Sequence, residues 1–430
     1  MLKRFVFFFC ILPLGALVAQ NSTASPYSLG GLGDVSFRGN AINRMMGGIS
    51  VYADSIHSNI NNPASLGELK LTTFSVGVHY KNTQLSAEQT NENTTSGSLD
   101  YIAVSIPTKK FAFSFGVMPY SAVGYQLQSL LNDQDDAANN ILNRYEGRGG
   151  VNKTFLSIGL KLLKGLSIGA RANYNFGRIE TIASRQEQNI DFGTFLRKSS
   201  QIGGFDLQFS THFKQPLSDK LTLDAFGSFQ PEHQLNSKNQ QVFFTRSLST
   251  GNIGDSEEID LVAQGLDDIT LTIGRQISYG ISVSSQKKWM LGLQYTIANS
   301  GLYRNDFVQL TNISYEDSNR LSIGGLYVPD YSSITRYWKR ITYRIGFRSE
   351  TSGILVNNTS LKETGMSFGV SLPLGGFYSA NNVAGFSNLN IGIEMGDRGV
   401  NTSGLIQEKY WTLRVGLSLN DLWFIKKVYN

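Results

Sequence analysis

The run Gly165-Leu166-Ser167-Ile168-Gly169 satisfies the G-x-S-x-G spacing that presents a serine nucleophile on a sharp strand-to-helix turn. Its chemistry would be acyl transfer, with the serine attacking a carbonyl while a histidine takes its proton. The flanking residues point elsewhere. Ile168, Ala170, Ala172, Tyr174 and Phe176 alternate with Gly169, Arg171, Asn173 and Asn175, so Ser167 stands at the start of a β-strand, without the helix an elbow requires. The histidines are His57, His79, His212 and His233, and none has metal-site spacing. Asp133, Asp135 and Asp136 offer carboxylates to a divalent cation, but an acidic run of this kind reads more simply as a solvated loop tip. The expectation is a protein that is not an enzyme, with no catalytic residue, no metal and no cofactor.

A second set of charges lies within apolar alternation rather than beside it. Arg171, Asp206, His212, Arg344, Glu394 and Arg414 occupy the polar face of period-two runs, where they would line an enclosed surface. They suit contact with a carboxylate, and salt bridges to whatever fills that surface are the plainer role. The elements that must carry them are strands. Phe74, Val76, Val78 and Tyr80 face away from Thr73, Ser75, Gly77 and His79, and Phe111, Phe113, Phe115 and Val117 from Ala112, Ser114 and Gly116. Later runs centre on Ile277, Leu293, Ile323, Ile345, Phe368, Ile391 and Val415, giving about fourteen strands.

Connection lengths separate a barrel from a soluble sandwich, whose strands alternate equally well. Short connections at 107–110, 163–165, 216–219 and 285–288 are interleaved with long polar stretches at 81–97, 128–149, 181–197, 232–268 and 300–318. Outer-membrane barrels have this pattern, with short periplasmic turns and long outer loops. Connections 329–338 and 373–386 are longer than the pattern asks. The closing strand carries Trp411, Leu413, Val415, Leu417 and Leu419 on one face and leads to Trp423 and Phe424, an aromatic pair suited to a membrane interface. The fold class expected is therefore all-β, a transmembrane antiparallel barrel occupying residues 70–430.

Residues 1–19 read as a signal peptide: Lys3 and Arg4 precede an apolar run that ends at Ala19 and is too short to span a bilayer. Cys10, the single cysteine, lies within it, so the mature chain would have none. Loss of Lys3 and Arg4 takes the formal charge from +5 to +3 (5 minus 2), too mild a balance to suggest nucleic acid. With 44 glycines, 26 phenylalanines and 19 tyrosines against 9 prolines, the composition suits short lipid-facing strands and an outer-membrane location.

Between leader and barrel, residues 20–69 are glycine-rich and too short for a core of their own. They carry Gly47-Gly48 and then Asn62-Pro63-Ala64, a turn in which proline fixes φ. At these residues the chain resembles the FadL-type outer-membrane transporters of long-chain fatty acids and other hydrophobic molecules, whose N-terminal hatch bears an Asn-Pro-Ala. Tyr145-Glu146-Gly147-Arg148-Gly149-Gly150 and 420–424 extend the resemblance through the body of the chain. It implies a hatch at 20–69 inside the barrel and uptake of a hydrophobic or amphiphilic small molecule by diffusion. It also implies contact with outer-membrane lipid or lipopolysaccharide, and passage through the barrel-assembly machinery during biogenesis. Such transporters kink an early strand to open the wall sideways, which here would fall at Pro119, helped by Gly124; a strand that ends at Val117 is the alternative. The competing function is a non-transporting barrel serving a larger secretion or assembly complex with envelope protein partners.

Overall fold

The computed structural model describes residues 22–35, 39–87, 90–132, 140–285, 288–374, 387–402 and 404–421. The readings made at 1–19, at Asp133, Asp135 and Asp136, and at Trp423 and Phe424 lie outside these residues. Fourteen antiparallel wall strands form one closed sheet: β1 (Thr72–Ser86), β2 (Asn91–Pro107), β3 (Phe111–Asn132), β4 (Asn140–Leu163), β5 (Leu166–Glu187), β6 (Phe192–Pro216), β7 (Leu221–Gln230 and His233–Ser247), β8 (Asp268–Ile273 and Gln276–Ser285), β9 (Trp289–Ala298), β10 (Ser318–Tyr327), β11 (Thr342–Val356), β12 (Thr359–Pro373), β13 (Asn388–Arg398) and β14 (Gln407–Asp421). The two interrupted strands each pair as one, since β6 continues along both pieces of β7. The sheet closes where β14 pairs with β1 from Gln407↔Ser86 to Asp421↔Thr72. Closure pairs the backbone around the barrel, apart from a stretch between β2 and β3.

Alternation alone leaves open which face is wet. Phe205, Leu291 and Leu156 point outward and are 70%, 60% and 58% exposed, whereas Asn173, His212 and Asn390 point inward and are buried. Apolar outside and polar inside is the arrangement of a membrane barrel and the reverse of a soluble sandwich. No described helix is long and apolar enough to cross a membrane.

Four of the expected long loops are not loops. The stretches 81–97, 128–149, 181–197 and 232–268 are mostly paired strand, because β1 runs to Ser86, β2 starts at Asn91, β3 reaches Asn132, β5 reaches Glu187, and His233–Ser247 and Ile253–Glu258 are both paired. Strands β3 to β6 are 22 to 25 residues long, where about 9–11 suffice to cross a bilayer. Each is therefore long enough to extend well beyond the bilayer, where lipid no longer requires alternation while pairing continues. Strand β3 likewise does not stop at Val117 but continues past a bulge between Pro119 and Ser121. The Tyr145 to Gly150 run lies within β4, with Gly149 and Gly150 at positive φ.

The described part of the chain before Thr72 contributes no wall strand. It forms a 3-10 turn (Pro26–Leu29), a two-residue strand (Asp34–Val35), one helical turn (Ala41–Arg44) and a second 3-10 turn (Pro63–Glu68). Ile42, Met46, Ile49 and Val51 pack against Phe226 and Met290, which come from the wall.

Candidate functional site

The N-terminal segment is held in shape by asparagines rather than by a core. Asn40 accepts from the Asn43 amide at 3.0 Å, and the Asn43 side chain returns the bond to the Asn40 amide, a reciprocal cap on the helical turn. Asn43 donates to the Ile49 carbonyl at 2.8 Å, and Asn59 donates to the carbonyls of Ser50 and Tyr52 at 2.8 and 2.9 Å. Side-chain amides close these loops because each carries both donors and an acceptor for backbone groups that would otherwise be buried unpaired.

Two sectors of the wall receive this segment. At β10 and β11, Gly47 adopts φ +67° and approaches so closely that a Cβ on it would meet the Phe347 carbonyl at 2.6 Å. Its amide donates to Ser367 Oγ at 3.2 Å. At β4 to β6, Ala64 donates to Ser210 Oγ at 2.8 Å, and a Cβ on Gly169 would lie 2.3 Å from the Ala64 nitrogen. Asn62 is buried and donates to the Ser50 carbonyl at 3.2 Å. Of the residues read from sequence as a hatch motif, Gly47, Pro63 and Ala64 thus contact wall glycines or wall hydroxyls, whereas Asn62 and Gly48 bond within the segment.

The six inward charges separate into distinct groups. Glu394 and Arg414 come together at 3.5 Å; Glu394 also accepts from Arg348 at 2.7 Å and meets Arg44 of the N-terminal segment at 3.9 Å. Arg348 binds Glu363 at 2.5 Å, and Arg414 binds Asp100, which faces His79 at 2.7 Å. Arg171 donates to the Ile60 carbonyl at 2.8 Å, while Asp206 accepts from Asn173 and Asn175 and pairs with Lys153 at 3.1 Å. His212 stands apart beside Asp224 at 3.3 Å, and Arg344 donates to Ser371. Sequence reasoning missed Arg348, although Arg344, Gly346, Arg348 and Glu350 share one face of β11, as strand period requires. It also missed Arg44, Lys153 and the Arg398–Asp34 pair at 3.1 Å.

Above the docked segment the lumen keeps a cavity of about 300 Å³. Its lining mixes Lys153, Arg171, Arg320 and Glu350 with hydroxyl and amide side chains and with apolar ones, among them Leu32, Met118, Phe226 and Ile273, and includes Tyr303 and Tyr315. Nearby the wall is divided. Strands β2 and β3 pair only from Ile102↔Val117 to Pro107↔Ala112. Beyond that point Asp34 and Val35 pair with Ala122 and Ser121, and Gly124 donates to Ser28 Oγ at 3.2 Å, so the N-terminal segment runs along the exposed flank of β3. Cavities of about 370 and 460 Å³ lie along this division, the first lined by Leu99 and Pro119, the second by Thr94 and Gly124.

Ser167 and His212 are register partners, with Asp224 next to the histidine, yet no hydrogen bond joins the serine to the imidazole. Ser167 is buried against Gly67. A nucleophile needs its base within hydrogen-bond reach and space for substrate, and this row has neither. Among the described residues no cluster of histidine and acid could hold a metal ion.

A family model described as BamG matches residues 1–430. No curated protein matches by sequence. Among solved structures, the chain is similar to the Ralstonia pickettii toluene transporter TbuX, at 14% identity over 89% of this chain and 98% of that one, with a TM-score of 0.55. It is similar also to the Pseudomonas putida toluene transporter TodX, at 13% identity over 91% and 99%, TM-score 0.53. A Pseudomonas aeruginosa FadL homologue aligns at 11% identity over 91% and 99%, TM-score 0.51. At such identities the likeness is one of fold, a FadL-like outer-membrane barrel.

Proposed function

The chain belongs to the BamG family, and from that membership together with its filled lumen we propose that it is a non-transporting outer-membrane barrel that serves the barrel-assembly machinery as an accessory subunit. The observation that carries this reading is the attachment of the described residues between 22 and 69. They are tied by buried charge to β11–β14 and by close backbone approach to β4–β6, so they act as a fixed stopper. A conduit that runs straight through the barrel needs a stopper that leaves, and buried ion pairs that lose a partner cost about 3–5 kcal/mol each. The cavity that remains sets Lys153, Arg171, Arg320 and Glu350 beside Leu32, Met118, Phe226 and Ile273, so a hydrophobic solute there would sit against buried charge.

The test has two arms. In liposomes the purified protein should admit a hydrophobic tracer no faster than protein-free vesicles, and its depletion from cells should lower the amount of other folded outer-membrane barrels. Tracer uptake with undisturbed barrel assembly would reverse the assignment. The uptake reading retains one specific support, the divided wall between β2 and β3 at Pro119, with Gly124 above it. Under that reading Pro119 marks a lateral exit, and a disulfide from Ala64 to a residue beside Pro119 would stop uptake until reduced.

A further inference from the structure

The described connections at the two ends of the barrel carry opposite charge. Short connections identify the periplasmic end. There, Lys109 and Lys110 stand between β2 and β3, Lys164 between β4 and β5, Lys220 between β6 and β7, and Lys288 before β9. The connection from β10 to β11 adds Arg336, Lys339 and Arg340. Against these eight cations, the described residues of the same connections hold two acids, Asp219 and Asp330. At the opposite end the described connections hold nine acids, five of them (Asp255, Glu257, Glu258, Asp260 and Asp267) in the one that follows β7, and Arg304 is the one cation.

Depth shows what the cationic rim meets. Lys110 adjoins Phe111, Lys164 adjoins Leu163, Lys288 adjoins Trp289 and Lys339 adjoins Trp338, and each of these apolar neighbours is exposed. A strand residue rises about 3.3–3.4 Å, so the cations lie one or two residues, about 3–7 Å, past the apolar belt. The headgroup layer on each side of the hydrocarbon core is about 5–8 Å thick. The connection at 328–341 reinforces the placement. It folds back with the Asp330 amide donating to the Lys339 carbonyl at 2.8 Å and presents Ile334, 92% exposed, at its tip. Lys339 and Arg340 lie over the rings of Trp338 and Tyr337, an aromatic and cationic pairing suited to an interface.

We propose that this rim binds the headgroups of anionic phospholipids in the periplasmic leaflet, so that the barrel carries an annulus enriched in phosphatidylglycerol or cardiolipin. The cations recur on five connections around the circumference, as a leaflet would require, whereas a docked protein would cover one sector. The inference holds whether the barrel is an accessory subunit or a conduit.

The experiment uses the full mature protein in nanodiscs of phosphatidylethanolamine mixed with phosphatidylglycerol, released for native mass spectrometry. Wild type should retain phosphatidylglycerol over phosphatidylethanolamine, more weakly as salt is raised. The quartets K109S/K110S/K164S/K220S and K288S/R336S/K339S/R340S should each lose at least about tenfold of that preference. Heat-modifiable migration checks folding, and K109S/K110S alone, with a smaller loss, serves if a quartet fails to fold. Equal retention of both lipids by wild type would overturn the proposal, as would quartets that retain phosphatidylglycerol like wild type. Quartets that keep their lipid but lose a co-purifying envelope protein would make the rim a protein-docking surface instead. Lipid A displacing phosphatidylglycerol would place the anion site elsewhere and equally refute it.

Discussion

The N-terminal segment meets the wall in two sectors by opposite means. At β11–β14 the contact is made of charge, with Arg44 entering a buried group that contains Glu394, Arg348, Glu363 and Arg414. At β4–β6 it is made of missing side chains, where Pro63 and Ala64 lie against Gly159 and Gly169. The first sector is sensitive to one lost partner, because an unpaired buried charge has no solvent to replace it, although it too has close contacts, such as Gly47 against Gly346. The second is sensitive to a single carbon, and its ion pair to the segment, Lys161 with Glu68 at 2.7 Å, is partly exposed. A segment fastened in both ways is held against two kinds of disturbance that rarely coincide.

Arg348→Met is the largest expected effect. It leaves Glu363 and Glu394 without their shared guanidinium and should cost about 3–5 kcal/mol, read as a lowered urea midpoint for loss of the heat-modifiable band. A shift no larger than that of a surface arginine change would mean that the charged sector is not an anchor.

Much of this was legible in the chain because a barrel wall imposes period two wherever it crosses lipid. The Phe111 to Val117 run and the closing Trp411 to Leu419 run are regular for that reason, and charges such as Glu394 and Arg414 stand out as interruptions on the polar face. Above the bilayer the constraint vanishes, so 81–97 reads as loop although most of it is paired. Arg44 and Asn43 left no periodic signal, since they act from one helical turn whose shape depends on Asn40 and Asn59. Which inward charges would meet was likewise hidden, because partners such as Arg414 and Asp100 are set by barrel closure.

Gly169→Val tests the other sector. The added carbon would fall 2.3 Å from the Ala64 nitrogen, and overpacking of this kind costs about 1–3 kcal/mol. The loss should change little between low and high salt, because the ion pair in this sector, Lys161 with Glu68, is partly exposed and contributes little. The double variant sharpens the comparison. Independent sectors give additive losses within about 0.5 kcal/mol, and a larger departure would show that the segment shifts as one body.

The smallest expected effect lies between the two sectors, at Asp54. Its carboxylate accepts from Tyr52 Oη at 2.6 Å, from the amides of Ile56 and His57 at 2.9 and 2.7 Å, and meets His57 Nδ1 at 2.5 Å. Burial alone would push the carboxyl up; the His57 ring and these donors outweigh it and hold the group below the usual carboxylate range. A group whose folded pKa is depressed contributes stability above its unfolded value, near pH 3.9, and loses it as pH falls through the folded value. Asp54→Asn keeps the shape without the charge, so it should lower stability by about 1 kcal/mol at pH 7. That deficit should be unchanged at pH 5 and shrink as the pH drops below about 4. Chemical unfolding of both proteins at pH 7, 5 and 3 measures it. A deficit that stays constant down to pH 3 would mean that the hydrogen-bond geometry, and not the charge, sets the turn between the charged and the glycine-lined attachment.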